Sequence, residues 1–325
     1  MTRSNDLGLL EREAVVRAGT GRELIVATGA DRSRFLGGIV TGNVAGTPVG
    51  GGCLSALLTP KGHVITDMRM FVRESDIWII VDAGQAETVA GALSRYAIMD
   101  DFAAAARADM AFSALLGPAA AARLAAIGAD PGPVATAPPL AHTQIATPDG
   151  ELWIARVREL GADGFWLGAP PSVLDAVHAR LAAAGTPELE PAAAEAARIV
   201  ALEPRFGAEI TQDYFPMEVG LSPAIDYAKG CYLGQEPIVR IRDRGHINWR
   251  LVGLDVTGAV DPAASDPIES DAKPKAGRVT SAGRLPDGRG VALAMLHTSI
   301  AVGETVRIRR GEERIDARVR AEVSP

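Results

Sequence analysis

Short apolar runs separated by Gly, Pro and Asp turns make up the first two thirds of the chain, and they predict a mixture of strands and helices. Strands are predicted at 23–28, 54–59, 64–72, 77–81, 151–157 and 164–168. A short helix is predicted to begin at Asp31, and further helices are predicted at 85–97, 118–128, 171–184 and 191–202. Residues 1–20 are interpreted as a helix or a partly ordered arm. Because strands and helices show no regular β-α-β-α alternation, we expect an α+β fold with antiparallel sheets.

The pattern changes after Pro237, where short strand-like runs bounded by glycines replace helical spacing. The first two predicted strands, 238–242 and 247–256, flank a turn at 243–245 and would form a basic hairpin. Further strands are predicted at 276–281, 290–297, 304–310 and 313–323. We therefore expect two regions, residues 1–237 with two interleaved α+β subdomains and residues 238–325 as a C-terminal β-barrel domain.

Composition narrows the classes of function. The 325 residues are 47% hydrophobic, which suffices for a core in each region. The net charge of −7 argues against broad nucleic-acid binding, which needs a basic surface. The two cysteines lack CxxC spacing, which disfavours a disulfide framework or a structural zinc site. The sequence shows neither a spanning apolar segment nor a secretory leader, so we expect a cytoplasmic protein with no membrane partner.

Candidate chemistry concentrates at 229–236, where the sequence KGCYLGQE follows neither strand alternation nor a helical pattern. We interpret this stretch as a shaped loop that presents side chains. Lys229 lies two residues from Cys231, and nearby cations favour a thiolate. Cys231 is therefore a candidate reactive or ligand-donating thiolate, with a buried structural cysteine as the alternative. One thiolate cannot hold an iron–sulfur cluster alone, so a partner or small thiols would supply the other ligands.

Three further groups could bind or react. Asp67 falls within an apolar strand pattern, where a carboxylate must be paired, hydrogen-bonded or facing a cavity unless it lies at a wet strand edge. The loop-like segment 205–220 carries an arginine and three carboxylates, either for binding or as a solvated loop. The basic hairpin contains Arg240 and Arg242 and could receive phosphate, polyglutamate or a nucleic-acid backbone, or be solvated. Cys53 precedes an apolar strand and is interpreted as a packing residue.

The sequence around these residues resembles the motifs of a known family. The stretch 229–236 is similar to the KGC(Y/F)xGQE motif of the YgfZ-type folate-binding proteins, which are relatives of the glycine cleavage system T-protein, an aminomethyltransferase. Weaker similarities lie at 35–44 (FLGGIVTGNV), 204–221 and 243–248 (DRGHIN). Proteins of this type support iron–sulfur cluster maturation and tRNA modification. The resemblance implies a T-protein-like multidomain fold, with its domains set around a channel for a reduced folate.

The resemblance also implies site residues, a cofactor and partners. The implied catalytic residues are Cys231 and Asp67. The implied cofactor-binding residues are Lys229, Tyr232, Gln235, Glu236, Arg205, Glu218 and Arg240, and no metal ligands are implied. The resemblance implies tetrahydrofolate or a one-carbon derivative as the cofactor. A carboxylate such as Asp67 suits a pterin, because it can accept two hydrogen bonds from an amino-pyrimidine edge. Iron–sulfur assembly proteins or client enzymes would be the protein partners.

Two positions differ from the T-protein pattern. T-proteins carry paired aspartates where this chain has Thr66-Asp67, and a glutamate aligns with Val200, so the carboxylate set for catalysis is incomplete. The sequence favours a folate-binding accessory factor in iron–sulfur cluster assembly or repair that acts through the 229–236 loop. The alternatives are a tetrahydrofolate-dependent one-carbon transferase or demethylase that uses Asp67, and a module that only binds folate or RNA.

Overall fold

The computed structural model describes residues 2–258, 260–271 and 273–323. Its α-helices are α1 (Leu9–Arg12), α2 (Arg32–Ile39), α3 (Ala86–Tyr96), α4 (Ala120–Ala126), α5 (Pro171–Ala183), α6 (Pro191–Val200) and α7 (Gln235–Arg244). Short 3-10 helices span Gly132–Ala135, Pro216–Val219 and Ser222–Ala224. Within the described ranges, every helix is too short or too polar to cross a bilayer.

The strands are numbered in chain order. They are β1 (Arg3–Ser4), β2 (Val15–Arg17), β3 (Arg22–Thr28), β4 (Gly52–Leu58), β5 (Val64–Val72), β6 (Ile77–Asp82), β7 (Ala103–Arg107), β8 (Ala111–Leu116), β9 (His142–Thr147), β10 (Gly150–Glu159), β11 (Ala162–Ala169), β12 (Glu188–Leu189), β13 (Trp249–Val256), β14 (Pro267–Glu269), β15 (Gly277–Arg284), β16 (Gly290–His297), β17 (Thr305–Arg310) and β18 (Glu313–Glu322).

The chain divides into two compact units that share its length unevenly. The first unit comprises Met1–Ser55, Met68–Glu190 and Ile225–Tyr232. The second comprises Ala56–Asp67, Pro191–Ala224 and Leu233–Pro325. The division predicted between residues 237 and 238 stays a prediction.

The first unit contains a seven-stranded sheet with the order β1-β12-β2-β8-β11-β10-β9. Its long strands pair in antiparallel register, as β10 and β11 do from Trp153 opposite Gly168 to Glu159 opposite Ala162. Alternate apolar side chains on one face pack against α4 and α5, and the resulting core includes Leu152, Leu167 and Val177. Burying these side chains is the main favourable contribution to the stability of this layer.

A five-stranded sheet has the order β4-β5-β6-β3-β7. Alternation along β5 buries Val64, Thr66, Met68 and Met70, while the residues between them remain half-buried. Strand β3 pairs in antiparallel register with both β6 and β7. Apolar residues at every second position therefore explain why a strand forms at β5, as the sequence pattern predicted.

The second unit contains a closed barrel with the order β13-β16-β15-β14-β17-β18. Its interior is filled by apolar side chains that include Leu254, Ala294 and Ile308. Closure leaves no unpaired sheet edge. The structure thus confirms the expected α+β class, the antiparallel sheets and the C-terminal β-barrel.

Several local predictions were wrong. Residues 238–242 form the middle of α7, and no basic hairpin exists there. Pro237 was interpreted as a strand boundary, but proline is also compatible with the first turn of a helix, and the surrounding Gln, Glu and Arg are good helix formers. Residues 2–20 contain two short strands around α1 where a helix or a partly ordered arm was predicted, and strands β7 and β8 were not predicted. Strand β9 was also missed.

Candidate functional site

The side chain of Lys229 ends among three backbone oxygens inside the first unit. Its Nζ donates hydrogen bonds to the carbonyl oxygens of Gly37, at 2.9 Å, of Gly42, at 2.7 Å, and of Val40. We call these three oxygens the carbonyl cage. Gly37 lies in the last turn of α2 and Val40 is the residue that ends it. The cage therefore includes carbonyl groups that a helix terminus leaves without intrahelical partners.

The ammonium of Lys229 is partly desolvated, and nearby negative groups offset part of the resulting cost. Burial lowers the pKa of Lys229 from 10.5 to about 8, and the nearby Cys53 and Asp226 oppose that shift. The Asp226 carboxylate accepts hydrogen bonds from the backbone N–H groups of Ala228, at 2.8 Å, and Lys229, at 3.1 Å. The hydrogen bond from Ala228 is the main cause of a lowered Asp226 pKa, so this carboxylate is ionised beside the ammonium.

Tyr232 and Cys231 differ sharply in exposure although they are adjacent. Tyr232 is only 6% exposed, and its ring centroid lies 5.0 Å from Nζ of Lys229. This distance fits a cation–π interaction. Cys231 is exposed and carries a free thiol. The loop therefore presents the thiol to solvent between a buried aromatic side chain and a hydrogen-bonded lysine.

Cys53 also belongs to the first unit. Burial raises the pKa of its thiol, and a hydrogen bond with Thr47 and the charge of Lys229 only partly oppose this. Cys53 is therefore held as a neutral thiol, which fits its interpretation as a packing residue. Among residues 2–258, 260–271 and 273–323, no three His, Cys, Asp or Glu side chains group closely enough to hold a metal ion.

Three of the predicted site residues lie along α7 in the second unit. An open groove of about 540 Å³ is lined by Gln235, Glu236, Val239, Arg240, Asp243 and Arg244. Residues four apart lie one above the other on a helix, which explains why Glu236, Arg240 and Arg244 share this face. Arg242 instead forms an ion pair with Asp243 at 2.6 Å. The predicted basic hairpin, a strand of which would have placed Arg240 and Arg242 on one face, was wrong, because residues two apart on a helix point in nearly opposite directions.

Asp67 occupies a half-buried position in β5, within the second unit. The hydroxyl of the buried Thr66 donates a hydrogen bond to the backbone carbonyl of Asp67 at 3.1 Å. Cys231 belongs to the first unit. The two residues implied as catalytic are thus assigned to different units, and their roles stay predictions.

Glu218 binds the backbone of the second unit with both carboxylate oxygens. Oε2 accepts a hydrogen bond from the N–H of Phe215 at 3.0 Å, and Oε1 accepts from Trp249 at 3.1 Å and Asn248 at 3.3 Å. The side chain is 4% exposed. Glu218 therefore connects a 3-10 helix to the first barrel strand. Its predicted role as a folate contact stays a prediction.

Arg205 lies beside a buried ionic cluster that sequence reasoning missed. Arg198, on α6, binds Glu195 through two hydrogen bonds of 2.9 and 2.8 Å and forms an ion pair of 3.2 Å with the fully buried Glu209. The hydroxyl of Ser281, on β15, accepts from Arg198 at 2.7 Å and donates to Glu209 at 2.6 Å. The exposed Arg205 pairs with Glu195 at 3.3 Å. The cluster joins α6 to the barrel, and the i, i+3 spacing of Glu195 and Arg198 was its one sequence signal.

Comparison with known proteins gives two family matches along the chain. Residues 20–229 match the model of the GCVT N-terminal domain. Residues 250–324 match the model of the glycine cleavage T-protein C-terminal barrel domain, which agrees with the observed barrel. The two matches fall in both units and leave residues 1–19 and 230–249 outside them.

Individual relatives match this chain over most of its length. An aminomethyltransferase from Herpetosiphon aurantiacus is 28% identical over 299 residues, which cover 90% of this chain and 81% of the relative. One from Nitrosomonas eutropha is 27% identical over 301 residues, which cover 90% and 80%. The crystal structure of glycine cleavage system aminomethyltransferase T from Bartonella henselae superposes with a TM-score of 0.82, at 23% identity, over 95% of this chain and 85% of that one. This last similarity concerns the fold.

Proposed function

Because the chain belongs to the glycine cleavage T-protein family, we propose that it is a folate-binding accessory factor in iron–sulfur cluster assembly or repair, of the YgfZ type, and that Cys231 is its functional thiol. The cytoplasm is the compartment that fits, since both cysteines are free thiols. Tetrahydrofolate or a one-carbon derivative is the proposed ligand. Reduced cluster supply would also lower tRNA modification by enzymes that contain such clusters.

The observation that supports this proposal most directly is the exposure of Cys231 within a tethered loop. A structural cysteine is ordinarily shielded from solvent, and Cys53 is half-buried, with a thiol pKa that burial raises. Cys231 instead faces solvent while its neighbour Tyr232 is buried. An exposed cysteine can attack or ligate a group that another protein delivers, whereas a cluster held by this chain alone would need more ligands.

The carboxylates favour an accessory role over aminomethyl transfer. One of the two paired T-protein aspartate positions holds Thr66, whose hydroxyl is already hydrogen-bonded to the backbone. The position that aligns with the T-protein glutamate holds Val200, which has no polar side-chain atom. The chemistry that remains at 229–232 is therefore that of a thiol, with Lys229 and Tyr232 as its proposed neighbours in the first unit. Gln235, Glu236 and Arg240, on α7 of the second unit, stay predicted cofactor-binding residues.

A genetic experiment tests the role of the thiol. The gene is deleted, and the activity of a [4Fe–4S] enzyme is measured in cells that carry the wild type, Cys231→Ala or Cys53→Ala at matched protein levels. We expect the wild type and Cys53→Ala to restore the activity and Cys231→Ala to leave it at the level of the deletion strain. Full restoration by Cys231→Ala would refute the proposal that Cys231 is the functional thiol. The alternative, a tetrahydrofolate-dependent transferase that uses Asp67, predicts instead turnover of a one-carbon donor by the purified protein that is lost in Asp67→Asn.

A further inference from the structure

Lys229 is chemically unusual in this chain, which uses arginine for nearly all of its cationic positions. The sequence contains 29 arginines and only four lysines. Lysine and arginine are not interchangeable where the geometry of the acceptors is strict. An ammonium directs three N–H bonds from one nitrogen, whereas a guanidinium spreads its donors in a plane over three nitrogens. The carbonyl cage offers three acceptors around one point and therefore selects a lysine.

The cage also explains why a cation is favourable there. The C-terminus of α2 carries a partial negative charge, and lysine side chains can bind the last carbonyl groups of a helix. Two of the cage oxygens belong to the last turn of α2 and to its terminal residue, Val40. Lys229 thus caps α2 with a side chain that is distant in sequence. The capping fixes the position of residue 229 relative to α2.

The rest of the loop is tethered to the same part of the first unit. The backbone N–H of Asp226 donates to the carbonyl of Thr41 at 3.0 Å, and the Asp226 carboxylate then accepts from the N–H of Lys229 at 3.1 Å. On the other side of Cys231, the Tyr232 ring is buried near the ammonium. Cys231 is therefore an exposed residue between two fixed neighbours.

We propose that Lys229 is a positioning residue for Cys231: by binding the carbonyl cage it holds the loop in the one arrangement that presents the thiol outward. The ammonium acts through the loop and not on the reacting atoms. This inference rests on the proposed function of Cys231. It also explains why residue 229 is a lysine, which the proposed function alone does not explain.

Spin labelling measures the position of the loop without using the activity. In a Cys53→Ser background, a nitroxide is attached to Cys231, and its spectrum is compared in the parent protein, Lys229→Met and Lys229→Arg. Lys275→Met is the matched control, because Lys275 is exposed on the barrel unit. We expect both Lys229 variants to shorten the nitroxide correlation time by about twofold or more, since release adds loop motion on the nanosecond scale. The control keeps the parent spectrum.

Lys229→Arg separates positioning from charge. The arginine retains the cation but cannot direct three donors at the cage. A positioning role therefore predicts that Lys229→Arg behaves like Lys229→Met: it shortens the nitroxide correlation time and does not restore the [4Fe–4S] enzyme. Parent-like spectra in both variants would overturn the inference while leaving Cys231 untouched. Failure of both variants to fold, with Lys275→Met folded, would also overturn it and make Lys229 a purely structural residue. Restoration by Cys231→Ala would instead refute the proposed function and leave the spectral result standing.

Discussion

At the scale of single residues, Val200 is the position where the chain differs most plainly from the T-protein carboxylate pattern. It is the last residue of α6, and its side chain is 38% exposed. Arg198, two positions earlier, points into the buried cluster, and residues two apart on a helix point in nearly opposite directions. A carboxylate at position 200 would therefore not join that cluster. The backbone carbonyl of Val200 already accepts a hydrogen bond from Arg320 at 3.2 Å, so a cation lies close to this position.

The substitution Val200→Glu tests whether this carboxylate limits folate affinity. We expect the variant to bind tetrahydrofolate about tenfold more tightly than the wild type, because one added charged hydrogen bond is worth roughly 1.5 kcal/mol or more. Calorimetric titration of both proteins measures the difference. Val200→Gln is the control for size and polarity without charge. Equal affinities of the wild type, Val200→Glu and Val200→Gln would show that the residue at position 200 does not recognise the pterin.

At the scale of elements, α7 is the segment whose conformation changes the interpretation of the site. The helix begins after Gly234, which has a positive φ of 78°, and it contains Pro237 in its first turn. Addition of a Cβ to Gly234 would bring it within 2.4 Å of the backbone oxygen of Thr59, so both the φ and the close approach require glycine. The groove residues Gln235, Glu236 and Arg240 are aligned only because this segment is helical.

A pair of proline substitutions tests the helix directly. Arg240→Pro removes an interior N–H and should lower the free energy of unfolding by about 3 kcal/mol. Glu236→Pro falls in the first turn, where the N–H has no intrahelical acceptor, and should cost much less. Urea denaturation of the two variants and the wild type provides the comparison. Equal losses at the two positions would contradict a helix that begins at Gln235.

The same element shows where sequence reasoning succeeded and failed. Strand β5 and the barrel strands other than β14 were predicted because their alternation is set by residues within each strand. Strand β14, Pro267–Glu269, was missed. Apolar and charged residues alternate equally well in 238–242, but packing decides whether these residues form a helix or a strand. The observed packing buries only Ile238 of α7. Tertiary context thus overrode a local pattern.

The candidate site was predictable in part for a similar reason. The functional groups of residues 229–236 are visible in the sequence, but the acceptors of Lys229 are backbone carbonyls in a glycine-rich stretch about 190 residues earlier in the chain. Backbone acceptors carry no residue identity, so no sequence pattern marks the cage. The Glu209 cluster was missed because it joins α6, a loop and a barrel strand that are distant in sequence.

At the scale of the whole molecule, buried histidines couple stability to pH. His142 contacts the carbonyl of Val72 through Nε2 at 3.1 Å and accepts from the indole N–H of Trp153 through Nδ1 at 3.3 Å. A neutral ring with its proton on Nε2 satisfies both contacts, whereas protonation would set two donors against each other. Burial is the main cause of the lowered His142 pKa, and the charge of Arg73 adds to it. Burial also lowers the pKa of His178.

The sign of the pH dependence follows from these lowered values. The unfolded chain takes up protons on histidine near pH 6.5, before the folded protein does, so stability is present above that pH and is lost as the pH falls below it. Each such histidine contributes a slope of at most about 1.4 kcal/mol per pH unit. Carboxylates contribute little above pH 5.5, because their ordinary pKa values lie near 4.

Denaturation of the protein between pH 7.5 and pH 5.5 should therefore show a falling free energy of unfolding, with a shallower slope in His142→Gln. The glutamine amide can donate to Val72 and accept from Trp153, so it keeps both contacts without a titrating group. His246→Gln removes an exposed imidazole and should leave the slope as in the wild type. A slope unchanged by His142→Gln would contradict the buried neutral ring. A slope lost in both variants would point instead to a general effect of histidine content, which the position of His142 in the fold argues against.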